Sequence, residues 1–151
     1  MSKRRPVTAG VVVIFSVIVL AGCGGKGKPL THAQFAAKAN ALCSEYNKKI
    51  DVLPEPKNLK EGASMIEEMI PIYERLVSDV KKLNPPAGEA AKVKRVIALG
   101  EEQLSLLKDY AKALKAGDRT KATSLQNEGD VNLAESSRLF HELGITACES
   151  H

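Results

Sequence analysis

Apolar residues fall into five stretches, and the spacing within each predicts what it does. Val7 to Leu20 is apolar almost without relief, broken only by Thr8, Gly10 and Ser16. From residue 31 onward the spacing changes to threes and fours, the period of a helix with one buried side. Phe35, Ala39, Leu42, Tyr46, Ile50 and Leu53 form the first such stripe, with Cys43 beside it. Leu59, Ile66, Ile70, Tyr73, Val77 and Val80 form the second, and Val93, Ile97, Gly100, Leu104, Leu107, Ala111 and Leu114 the third. Ala122, Leu125, Leu133, Phe140 and Leu143 make a sparser fourth, thinned by Ser136 and Ser137. No stretch after Cys23 keeps the alternation of a strand.

The residues between the stripes are start and stop signals. Thr31 with Gln34 has the form of a capping box, and Asn58 with Glu61 marks a second helix start. Pro54 and Pro56 end the first helix, because proline lacks the amide donor and disfavours helical geometry in the residue before it. The second helix is expected to reach about Asn84, with Pro85-Pro86 breaking the chain before the third. Gly117 stops the third and Asp118 caps the fourth, which ends at Gly144 with Ile145 as its hydrophobic contact. Pro71 predicts a kink near Glu67. Gly129 costs about 1 kcal/mol relative to alanine in a helix, and the expected reason is close approach of another backbone near Gly100. Short breaks favour neighbouring helices that reverse direction, so the predicted fold is all-α: an antiparallel up-down-up-down four-helix bundle.

The first stretch has a different purpose. Lys3, Arg4 and Arg5 precede 14 largely apolar residues, which is the layout of a secretory signal. A permanent membrane span wants roughly 20 apolar residues, so cleavage is expected. The run ends in Leu20-Ala21-Gly22-Cys23, which resembles the lipobox of bacterial lipoprotein precursors at every position. That resemblance implies that signal peptidase recognises Leu20, Ala21 and Gly22 and cuts before Cys23. The Cys23 thiol then carries a diacylglyceryl group bearing acyl chains such as palmitate. One acyl chain anchors marginally and two anchor stably, at about 0.8 kcal/mol per buried methylene. The expected divisions are 1–22 signal peptide, 23–30 lipidated cysteine and flexible tether, and 31–151 bundle domain. Gly24 to Pro29 gives the tether a reach of roughly 14 Å; Lys26 and Lys28 fit either a plain soluble spacer or attraction to anionic headgroups of about 1 kcal/mol each.

Removal of the signal changes the reading of charge. The whole chain carries 22 Lys and Arg against 18 Asp and Glu; without Lys3, Arg4 and Arg5 there are 19 against 18. Near-neutrality after secretion argues against a nucleic-acid partner. Cys43 and Cys148 remain as an even pair in an oxidising compartment, and a disulfide between them is expected to clasp the bundle. The route is a tail, Ile145 to Cys148, that climbs the groove between the first and fourth helices.

Candidate chemistry is sparse. His32, His141 and His151 are scattered, and none of the common nucleophile, phosphate-binding, zinc or haem motifs occurs. No catalytic residue, metal ligand or cofactor is assigned: Cys148-Glu149-Ser150-His151 is expected to be a disulfide-bearing terminus, and Met65 and Met69 packing residues. Glu45 with Lys49, Arg75 with Asp79, and Asp109 with Lys112 are spaced for weak helical ion pairs. Lys108, Lys112, Lys115 and Arg119 gather positive charge near the end of the third helix, and Tyr46, Tyr73 and Tyr110 are placed to converge in the core. The chain as a whole resembles small secreted helical lipoproteins with one disulfide from the first helix to the C-terminus. The expectation is an envelope interaction or scaffold module, anchored by lipid to the extracytoplasmic side of the cell membrane and facing an envelope protein partner. The other expectation is a small-ligand-binding bundle with a pocket near Pro71 or near Gly100 and Gly129.

Overall fold

The computed structural model describes residues 27–149, so Leu20, Ala21, Gly22 and Cys23 lie outside the described residues. Within them the chain is all-helical: α1 His32–Ile50, α2 Leu59–Lys81, α3 Ala90–Ala116, α4 Arg119–Glu142 and a 3-10 turn at Thr146–Cys148, with no strand. The helices form a bundle held by a Cys43–Cys148 disulfide, with Cα atoms 5.3 Å apart.

Most ends follow the side chains that predict them. Thr31 accepts a hydrogen bond from the Gln34 amide while the Gln34 side chain accepts one from the Thr31 amide, completing the box. Asn58 accepts from Glu61 N–H, and Asp118 from Lys121 N–H. Gly117 and Gly144 have φ of 69° and 70°, the left-handed conformation in which glycine meets no Cβ penalty. At Gly144 the Ile145 amide reaches back to Phe140 O at 2.8 Å, and Ile145 is buried behind it. α2 stops three residues short of Asn84 and runs on through Pro71, which faces solvent.

α3 is the central element, packed against α2 on one side and α4 on the other, while α1 lies beside α2. Ion pairs join Glu67 to Lys115, Glu74 to Lys108 and Glu101 to Lys81, so each step of seven along α2 matches a step of seven back along α3. Across the other face Arg95 donates to both carboxylate oxygens of Glu135, and Lys92 meets Glu142. The three expected helical pairs also form. With Lys108, Lys112 and Lys115 each paired to a carboxylate, the predicted basic cluster is largely neutralised.

The core divides in two. At one end Phe35, Ala39 and Cys43 of α1 meet Val93, Val96 and Leu99 of α3 and Leu139, Leu143 and Ile145 from the chain's end. At the other, Ala63, Ala113, Leu114, Ala122 and Leu125 form a smaller cluster. Between them the buried positions turn small and polar: Gln103, Gly129, Asn132 and Ser136. The α4 seam is therefore Ala122, Leu125, Gly129, Asn132, Ser136, Leu139 and Leu143, an unbroken three-four repeat whose middle is not apolar. Leu133, expected on that seam, is 40% exposed.

A cavity at the waist of the bundle

The polar middle layer leaves space. α1 and α4 share no close backbone approach among the described residues, and the turn after Gly144 comes between them, touching both. Three things hold it. Asn40 Nδ2 donates to Gly144 O at 2.9 Å and Asn40 Oδ1 accepts from Ala147 N–H at 2.8 Å; Asn47 Nδ2 donates to Ala147 O at 3.0 Å; the disulfide fixes Cys148. The tail thus takes the expected groove, as a tight turn rather than an extended strand. It closes one end of the gap. Below it remains a cavity of about 370 Å³, walled by every helix.

Each helix contributes a different surface. α1 supplies Cys43, Tyr46, Asn47 and Ile50; α2 supplies Met69, Tyr73 and Leu76; α3 supplies Gln103 and Leu107. α4 supplies Leu133, Ser136, Ser137 and Phe140, and the chain's end closes it with Ala147, Cys148 and Glu149. A smaller cavity of about 140 Å³ lies on the other side of Gln103, lined by Ile66, Leu106, Tyr110 and Gly129 among others. Leu107 and Leu133 are shared by both. Gln103 therefore stands between two voids, and neither contains Pro71 or Gly100.

The two expected glycines do not meet each other. A Cβ built on Gly100 would lie 3.0 Å from Val77 Cγ2 and 3.7 Å from the Tyr73 hydroxyl, so Gly100 admits α2. A Cβ on Gly129 would face the Gln103 amide at 3.5 Å, so Gly129 makes room for a side chain rather than a backbone.

Two buried amide oxygens, Gln103 Oε1 and Asn132 Oδ1, have no hydrogen-bond partner among the described residues. Asn132 is partly satisfied, since its Nδ2 donates to Glu102 Oε2 at 3.3 Å. An unpaired buried carbonyl costs about 1–3 kcal/mol, and Gln103, only 9% exposed, has no side chain or backbone donor for its oxygen among the described residues. Tyr46 and Tyr73 meet edge to face, ring centroids 5.7 Å apart. Burial pushes the Tyr46 phenol up to about 12. Tyr73 is raised further, by burial first and by the neighbouring Tyr46 second. Both rings stay neutral hydroxyl-bearing walls at physiological pH; Tyr110, the third tyrosine expected there, lines the smaller cavity.

No group of three or more His, Cys, Asp or Glu side chains is placed to hold a metal, and no helix is long and apolar enough to cross a membrane, among the described residues. The signal for the cavity lay in the polar residues at seam positions, which periodicity treats as gaps in a stripe. Comparison with protein-family models, with curated proteins and with solved structures finds no match for this chain.

Proposed function

We propose that this protein is a small-ligand-binding helical bundle, tethered by lipid on Cys23 to the extracytoplasmic face of the cell membrane. The observation that carries the binding reading is one cavity of about 370 Å³ walled by all four helices, lined mainly by apolar and aromatic side chains with Asn47, Gln103, Ser136 and Ser137 among them. Ligand sites are concave, mostly apolar and furnished with a few convergent polar groups. The tether rests on Leu20-Ala21-Gly22-Cys23 behind a basic and then an apolar segment. An up-down-up-down order of the helices is part of the proposal. The stepwise Glu67–Lys115, Glu74–Lys108 and Glu101–Lys81 pairs and the Arg95–Glu135 contact support it.

An envelope interaction or scaffold role has less to rest on. The exposed large apolar residues, Val52, Leu59, Val131 and Leu133, are spread over the 51–58 connection, the start of α2 and α4. Mass spectrometry of the full chain recovered from membranes separates the possibilities. Expected are a mass beginning at an acylated Cys23 and a non-covalent small molecule released on denaturation, missing from a Ser136→Phe variant whose new ring fills the cavity. Protein that is water-soluble and still carries residues 1–22 would sink the tether. Protein that never retains a small molecule would sink the binding site.

A further inference from the structure

The charge at the mouth of the waist cavity specifies the class of molecule it takes, an inference that rests on the ligand-binding reading above. The chain's end climbs α1 along one line, since Asn40 holds Gly144 O, Asn47 holds Ala147 O and Cys43 holds Cys148. Glu149 is the next residue on that course and Asp51 lies one turn beyond Asn47, so the docked tail brings two carboxylates to one part of the wall. Asp51 is exposed and Glu149 half-buried, whereas Cys43 and Ser136 are buried, which puts the acidic part at the mouth. Among the described residues the lining has no Lys, Arg or His. Lys48 and Lys49 of the same last turn fall outside it, Lys49 paired with Glu45, and His141 Nδ1 meets Glu149 from outside at 3.2 Å. Two further features carry the same sign. α1 ends at Ile50, in that wall, and the carbonyl end of a helix favours cations. The Tyr46 and Tyr73 rings line the cavity too, and an aromatic face attracts positive charge. Most of the remaining wall, Met69, Leu76, Leu107, Leu133 and Phe140, is apolar.

We propose that the cavity takes a small amphiphilic cation, an apolar body of one or two rings lying on Leu107 and Phe140 and carrying an ammonium group that rests at the mouth with Asp51 and Glu149. A volume of about 370 Å³ is at the low end of the roughly 300–1,000 Å³ of ligand pockets, which sets that size. An anion is turned away, because its charge would meet two carboxylates and a helix C-terminus with no cation in the described lining. A neutral molecule of the same shape gains the apolar contacts alone.

The test compares three naphthalenes of similar shape on the full chain held in phosphatidylcholine vesicles, with protein-free vesicles as the blank. 1-Naphthylmethylamine is a cation at neutral pH, 1-naphthalenemethanol is neutral and 1-naphthoate is an anion. Equilibrium binding at low salt is expected to favour the amine over the alcohol by about fivefold, the order of exposed ion pairs together with one cation–π contact, with the anion weakest. Added salt should shrink the amine's lead, and Asp51→Asn combined with Glu149→Gln should abolish it. Equal binding of amine and alcohol, tightest binding of the anion, or an amine lead that survives the double substitution overturns the cation assignment while leaving the cavity as a binding site. Binding of none of the three, or binding that Ser136→Phe leaves intact, in protein that unfolds cooperatively on heating, overturns the assignment and the ligand-binding reading together. The wild-type series decides even if a variant fails to fold.

Discussion

The same substitution made at two buried glycines should change stability in opposite directions. Replacing a helix-interior glycine by alanine gains about 1 kcal/mol, because the unfolded chain loses less freedom on folding. At Gly129 the new methyl meets the Gln103 amide at 3.5 Å, an ordinary contact, so Gly129→Ala keeps the whole gain. At Gly100 the methyl would sit 3.0 Å from Val77 Cγ2. Val77 is β-branched and stiff at χ1, and overpacking of this kind costs about 1–3 kcal/mol. Taking about 2 for the clash, Gly100→Ala loses a net of about 1 kcal/mol. An unfolding entropy of about 2.1 cal/mol/K per residue over some 120 residues makes each kcal/mol worth roughly 4 °C. Thermal and urea unfolding should therefore put Gly129→Ala about 4 °C above the parent and Gly100→Ala about 4 °C below. Adding Val77→Ala to Gly100→Ala should recover part of the loss, as a double-mutant cycle between touching residues requires. Shifts of the same sign at both glycines, or no coupling to Val77, would refute the reasoning.

Three further outcomes are expected. Replacing Cys43 and Cys148 by serine opens a closure of 105 residues; the chain-entropy model puts the loss at about 4 to 5 kcal/mol, read by calorimetry against the parent with and without reductant, and a loss under about 1 kcal/mol would contradict it. Gln103→Met exchanges an unpaired buried amide for an apolar side chain of similar length and should raise stability by about 1 kcal/mol; a drop of that size would mean the amide is satisfied in the folded protein. Burial raises the folded pKa of Tyr46 to about 12 from the ordinary 10.0 of a phenol, so the stability tied to its proton is complete below pH 10 and lost as pH rises toward 12. Tyrosinate absorbance should accordingly rise together with loss of helix over that window, and Tyr46 ionising below it in the folded protein would remove the argument.

Elements were legible in the sequence where one local interaction decides them. Thr31, Asn58, Gly117, Asp118 and Gly144 act within a turn of themselves, and each does what its chemistry predicts. α3 was half legible. A single stripe through Val93, Ile97, Gly100 and Leu104 supposes one buried side, but a helix gripped from both flanks also buries Val96, Leu99 and Gln103. The α4 seam was hidden for a related reason: Gly129, Asn132 and Ser136 keep the repeat while lacking the hydrophobicity used to find it. The disulfide pair could be read from the two cysteines left over once Cys23 is set aside for the expected lipid. The cavity could not, because it exists only where polar seam positions coincide with the gap between α1 and α4, a coincidence of tertiary packing.

The bond between Cys43 and Cys148 also decides what happens to a damaged molecule. A protease that cuts the exposed 54–58 connection or the bend at Gly117 severs the backbone between the two sulfurs. The fragments stay covalently joined, so a nicked molecule migrates as one species until it is reduced. Whatever holds the N-terminus in place keeps hold of the C-terminal piece as well.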